Sequence, residues 1–169
     1  MPPDSAPEFS RPLPLGAIGP DGRSEVLEAG DVERAALARR FGIPAVERLR
    51  AELRLWPDGD GSIRAEGRLA AEVVQTCVVT LEPVAERIDE PVDLRLLPPG
   101  REPGDEVDEP DEIAAPGGVA DLGEALAEQL ALALDPYPRA PDAVLPEAAS
   151  EAAEHPLAAL AKLRPAARH

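Results

Sequence analysis

Apolar and polar residues alternate most regularly between Leu49 and Ala71. Leu49, Ala51, Leu53 and Leu55 are separated by Arg50, Glu52 and Arg54, and Ile63, Ala65, Gly67, Leu69 and Ala71 by Arg64, Glu66 and Arg68. A period of two sends successive side chains to opposite faces of a sheet, so both runs read as half-buried strands. Asp58-Gly59-Asp60-Gly61 lies between them and has the length and composition of a hairpin turn. Antiparallel pairing then collects Arg48, Arg50, Arg54, Arg64 and Arg68 on one face, expected to be solvated and basic, with the apolar residues opposite.

The same reading extends both ways. Val73 to Val79 is rich in β-branched residues, Pro83 and Pro91 punctuate the stretch up to Pro98, and from Ile88 the apolar Ile88, Val92, Leu94 and Leu96 share one parity, which predicts two more strands joined by a connection. Upstream, Arg11-Pro12-Leu13-Pro14-Leu15 has apolar side chains at alternate positions with proline between them, as in an edge strand. Gly19-Pro20-Asp21-Gly22 turns the chain, Ser24 to Ala29 forms a short strand, and Asp31 is placed to cap a helix that runs to about Phe41. Downstream, Asp121 followed by Glu124 has the form of a capping box, and Leu122, Leu126, Leu130 and Leu134 recur every four residues, which predicts a helix lying leucine-side down on the sheet. Asp135-Pro136-Tyr137-Pro138 stops it. Between the last strand and this helix, Pro99 to Ala120 is dominated by Gly, Pro, Asp and Glu and reads as a disordered acidic loop.

The pattern predicts an α+β fold: an antiparallel sheet of about five strands covered by two helices, in a single domain spanning residues 8–138. Residues 139–169 are expected to form a flexible linker and a short helical tail. In that tail Leu157, Leu160 and Leu163 fall three apart, and Lys162, Arg164 and Arg168 add positive charge without an acid after His155. Three leucines on one or two turns bury too little to hold such a helix alone, so the tail is expected to order against a partner.

Composition narrows the partners. The 169 residues carry a formal charge of −16, with only four aromatic residues, so the core must be built from Leu, Val, Ile and Ala. Charge is uneven: residues 34–68 hold eight arginines against five acids, whereas residues 82–128 hold fifteen acids against three arginines. An acidic chain is repelled by bare RNA and attracted to basic proteins, while a local arginine face can approach phosphate. No run of apolar residues is long enough to span a membrane and no signal-peptide pattern begins the chain, which predicts a cytoplasmic protein.

Candidate chemistry is sparse. Cys77 is the only cysteine, and a nucleophile, redox thiol or metal ligand each needs a companion: a base, a second thiol or further ligands. The residue three later is Thr80, and both histidines, His155 and His169, lie in the tail. Cys77 therefore reads as a small buried thiol at a strand end. The acids between Glu102 and Glu112 lack the spacing of a calcium loop. Neither a phosphate-binding glycine loop nor a Ser-His-Asp constellation occurs. No enzyme, cofactor, metal or small-molecule substrate is expected.

The chain resembles the YceD family, bacterial proteins linked to accumulation of large-subunit ribosomal RNA. The likeness is carried by Cys77 followed by Leu81-Glu82-Pro83-Val84, by Asp121-Leu122-Gly123-Glu124 at the helix start, and by His155 to Leu163, HPLAALAKL. It extends from about Pro12 to Leu163. Many members carry two cysteines three apart where this chain has Cys77 and Thr80, so no metal role is carried over. The resemblance implies a non-enzymatic factor in large-subunit biogenesis that promotes accumulation or processing of 23S rRNA. Its partner is then a ribosomal RNA precursor or a large-subunit ribosomal protein. The alternative is an acidic adaptor or holdase for a newly made basic ribosomal protein. Candidate contact residues are the five hairpin arginines and the tail residues Leu157, Leu160, Lys162, Leu163, Arg164 and Arg168, with Cys77, Leu81 and Pro83 as motif positions.

Overall fold

The computed structural model describes residues 7–104 and 110–144. In chain order it comprises β1 (Pro12–Pro14), β2 (Arg23–Glu28), α1 (Asp31–Phe41), β3 (Ala45–Pro57), β4 (Ile63–Thr76), β5 (Pro83–Leu97), β6 (Asp111–Ala114), β7 (Val119–Asp121) and α2 (Leu122–Ala133). Five strands form one sheet in the order β2-β3-β4-β5-β6, and β1 and β7 form a separate two-stranded ribbon. The fold is α+β as expected, but the sheet is mixed, because β6 runs parallel to β5 while the other pairs are antiparallel.

The central hairpin forms where the alternation places it, with Leu49 opposite Ala71, Leu53 opposite Gly67 and Leu55 opposite Ala65. It is longer than the alternation suggests at both ends. The register shifts between Val46 and Arg48, so that Val46 and Leu49 both face inward although they differ in parity. A bulge of this kind adds a residue to one strand and breaks a period of two. At the other end, Val73 to Thr76 is the continuation of β4 rather than a new strand, since Val73 and Gln75 extend the buried parity begun at Ile63. Gly67 lies at the middle of this hairpin, where a Cβ would stand 1.9 Å from the Glu52 carbonyl oxygen, so the backbones approach as only glycine permits.

One face of the sheet is dry. Leu49, Leu55, Leu69, Leu94 and Leu96 are fully enclosed there, together with Leu122, Leu126 and Leu130 of α2, Leu37 of α1 and Phe9 just ahead of β1. The predicted α2 matches to within a residue, and its leucine stripe faces inward. Its start departs from the expected capping box. Asp121 accepts from the Gly123 and Glu124 amides, but the Glu124 carboxylate bonds to Arg40 instead of reaching back. In α1 the N-cap is Gly30, whose amide donates to Glu33 at 2.7 Å, and Asp31 sits inside the first turn, paired with Arg34.

The stretch expected to be an acidic loop contains order. β6 adds to the sheet through residues opposite Leu94 to Leu97, Ile113 packs against the core, and Ala115 and Ala120 are buried. β1 is not an edge of the main sheet either; its partner is β7, in the same stretch. Hydrogen bonding also continues past Pro138, since the Val78 amide donates to the Pro138 carbonyl and the Ala140 amide to Cys77. The tail candidates Leu157, Leu160, Lys162, Leu163, Arg164 and Arg168 lie outside the described residues.

Candidate functional site

Cys77 closes β4 and opens a tight turn into β5. Its amide donates to the Glu82 carbonyl at 2.8 Å and its carbonyl accepts from the Leu81 amide at 3.0 Å, which folds six residues back on themselves. The thiol is fully enclosed, and three backbone amides converge on its sulfur: Val79 and Thr80 at 3.4 Å and Ala140 at 3.3 Å. The Thr80 hydroxyl adds a further donor, and together with the amides it outweighs the opposing effect of burial, holding the thiol below its ordinary range, down to about 6. Donors arranged this way favour a thiolate whose part is to fasten the 135–140 segment to the hairpin. Leu81, at the tip of the same turn, adopts a left-handed backbone with φ 61 and leaves 76% of its surface exposed. Among the described residues no group of three or more His, Cys, Asp or Glu is disposed to hold a metal ion.

The five hairpin arginines do share the open face of the sheet, as the alternation predicts. That face is not basic. Carboxylates from the same and neighbouring strands interleave with them: Arg50 pairs with Glu52 at 2.7 Å and Glu28 at 3.6 Å, Arg64 with Asp93 at 2.7 Å, and Arg68 with Asp89 at 2.8 Å. Arg95 reaches Asp60 at 2.8 Å and Glu112 at 3.6 Å, and Arg87 faces Glu72 at 3.7 Å. Asp89 and Asp93 lie on β5 at the parity that faces the same side, directly across from Ala70 and Glu66. Extending the parity argument by one strand finds them, whereas counting charges along residues 34–68 does not. Arg48 and Arg54 are exposed and have no ion pair among the described residues. Arg54 borders a shallow trough of about 730 Å³ with Trp56, Glu66 and Asp93, which places the single tryptophan on the open face.

The third feature is the Asp121-Leu122-Gly123-Glu124 motif, whose residues each hold a different part of the fold. The Asp121 carboxylate accepts from Ser10 Oγ at 2.5 Å, the Arg11 amide at 2.7 Å, the Gly123 amide at 3.0 Å and the Glu124 amide at 3.2 Å. Burial pushes its pKa up, but these four donors prevail and the net displacement is downward. Leu122 is in the core, Gly123 passes so close to Phe9 that a Cβ would lie 2.4 Å from its carbonyl oxygen, and Glu124 grips Arg40 of α1 at 2.7 and 2.9 Å. The motif joins α2, β1 and α1 and is architectural.

The features so far define a small α+β protein with one covered and one open sheet face, whose motif residues act on its own backbone. The family model described as "Large ribosomal RNA subunit accumulation protein YceD" matches residues 65–164. The chain belongs to the YceD family. Neither the curated proteins nor the solved structures include a match. The matched span contains the Cys77 turn, all of β5 and the Asp121 motif.

Proposed function

We propose that this protein is a non-enzymatic, cytoplasmic factor of large-subunit assembly that promotes accumulation of 23S rRNA by holding a basic ribosomal protein. The family carries the first part of the reading, a role in accumulation of large-subunit ribosomal RNA. The observation behind the second part is the charge matching on the open sheet face. Arginines interleaved with carboxylates have little to offer a phosphate, because the neighbouring acids cancel the positive potential that would attract it. With a formal charge of −16, long-range attraction favours a cationic partner. No helix among the described residues is long and apolar enough to cross a membrane.

A second reading has one observation in its favour. Arg48 and Arg54 are unpaired among the described residues, and Arg54 borders the trough that contains Trp56; guanidinium and indole together are a pairing that stacks on single-stranded bases. Depleting the protein and comparing 23S with 16S rRNA tests the role, and complementation separates the readings. Arg48→Glu/Arg54→Glu should restore the ratio as fully as the native chain does. Failure of this double variant, folded and expressed at native level, would favour direct RNA contact.

A further inference from the structure

β5 is fifteen residues long, and β6 covers only its last four, Leu94 to Leu97. From Pro83 to Asp93 its outer edge has no strand partner among the described residues. Such an edge presents a row of backbone amides and carbonyls to any extended chain that can lie beside it. The edge of β2, at the other side of the sheet, is six residues long.

Among the described residues, salt bridges along the β5 edge are confined to the open face, although Glu90 lies within electrostatic reach of Arg68. On the open face, Arg87 and Asp89 are matched by Glu72 and Arg68. On the covered face the side chains are Glu86, Ile88 and Glu90, and neither glutamate has an ion-pair partner among the described residues. Burial first, and the nearby Asp135 carboxylate second, push the Glu86 carboxyl up from its ordinary value, against a smaller downward pull from the Asp135 backbone. A groove of about 440 Å³ lies between Pro83 to Glu86 at the start of β5 and the segment Pro138 to Pro141.

We infer that the β5 edge from Val84 to Glu90 docks an extended basic segment of a protein partner, which adds to the sheet as a strand with cations opposite Glu86 and Glu90 and an apolar residue opposite Ile88. This deepens the basic-partner reading and rests on it. The required pattern is basic, any, apolar, any, basic, and it reads the same in either strand direction because Glu86 and Glu90 are symmetric about Ile88. Self-pairing of two copies about Ile88 sets Glu86 against Glu90 on the covered face and Arg87 against Asp89 on the open face, so charge gives a second copy no net advantage, whereas a basic segment meets both glutamates. Pro91 lacks an amide and limits the added strand to the residues before it.

The test uses the full chain and a synthetic peptide with Lys-Thr-Val-Thr-Lys at its centre, together with two controls: the same peptide with Glu for Lys, and one N-methylated on alternate residues along a single edge. The lysine peptide should bind one to one, and Glu86→Lys/Glu90→Lys should weaken it by about tenfold or more, from two attractive pairs turned repulsive. N-methylation on the edge facing β5 should abolish binding, because it removes the ladder donors and leaves every charge in place. Equal binding of the methylated and unmethylated peptides would overturn strand addition while leaving the attraction to basic partners intact. Equal binding of the lysine and glutamate peptides would overturn the edge proposal. The basic-partner reading itself fails only if the native chain holds no basic ribosomal protein once RNA is digested.

Discussion

The sulfur of Cys77 accepts a hydrogen bond from the amide of Ala140 at 3.3 Å, across 63 residues of chain. The bond ties the segment after α2 to the β4–β5 turn, and its strength depends on the thiol being ionised. A thiol held at about 6 in the folded state contributes stability that is complete above the unfolded thiol pKa of about 8.5, and that is lost as pH falls through about 6. The melting temperature of the native chain should therefore fall relative to that of Cys77→Ala as pH is lowered from about 8.5 to about 6. Thiolate ultraviolet absorbance of the folded chain should persist from a pH of about 8.5 to about 7 and be half lost near about 6. Parallel melting curves for the two proteins would show a neutral thiol. Cys77→Ser should keep rRNA accumulation, because the role argued for the sulfur is structural.

Leu81 occupies a left-handed backbone conformation that costs a branched residue roughly 1–2 kcal/mol, and most of its side chain is in water. Leu81→Gly should relieve that strain and raise unfolding free energy by about 1 kcal/mol, measured by urea denaturation. Strained backbone positions cluster at ligand clamps and switch regions, and Leu81 presents its side chain to solvent where a partner can reach it. The same variant should then weaken capture of the partner, and a loss of stability on substitution would contradict the strain argument.

Asp121 supports two elements at once, so Asp121→Ala removes the α2 cap and the bonds to Ser10 and Arg11 together. A cost of about 2–3 kcal/mol is expected from one cap plus partly exposed charge-assisted bonds. Its carboxyl is displaced downward on folding, so its stabilisation is present above the unfolded value of about 3.9 and is lost as pH falls through the lower folded value. Asp121→Asn should flatten the acid limb of the stability profile. An unchanged acid limb would mean that the charge adds nothing to the hydrogen bonds.

Much of this architecture is legible in the residues. The alternation of Leu49 to Ala71 sets the central hairpin and its faces, and the spacing of Leu122, Leu126 and Leu130 behind Asp121 sets α2. The rest depends on relationships that a local period does not contain. The bulge before Arg48 reverses parity within a strand, and β6 and β7 are three or four residues long, below the length at which a period of two can be counted. The arginine face is the instructive case. Its membership follows from parity, but its charge follows from Asp89, Asp93 and Glu28 on the strands beside it. The Asp121 motif is visible as a helix start, yet its bonds to Ser10 and Arg11 span more than a hundred residues, and nothing near either position announces the other.

The central claim is that the partner is a basic protein and not RNA. The most direct measurement is isolation of the tagged full chain from cells, with and without ribonuclease digestion of the lysate, followed by identification and quantification of bound large-subunit proteins. A basic large-subunit protein should remain bound after complete digestion and be released as salt is raised, because opposite charges at a solvated surface are screened. Loss of every bound ribosomal protein on digestion, with recovery of the RNA itself in undigested samples, would contradict the account.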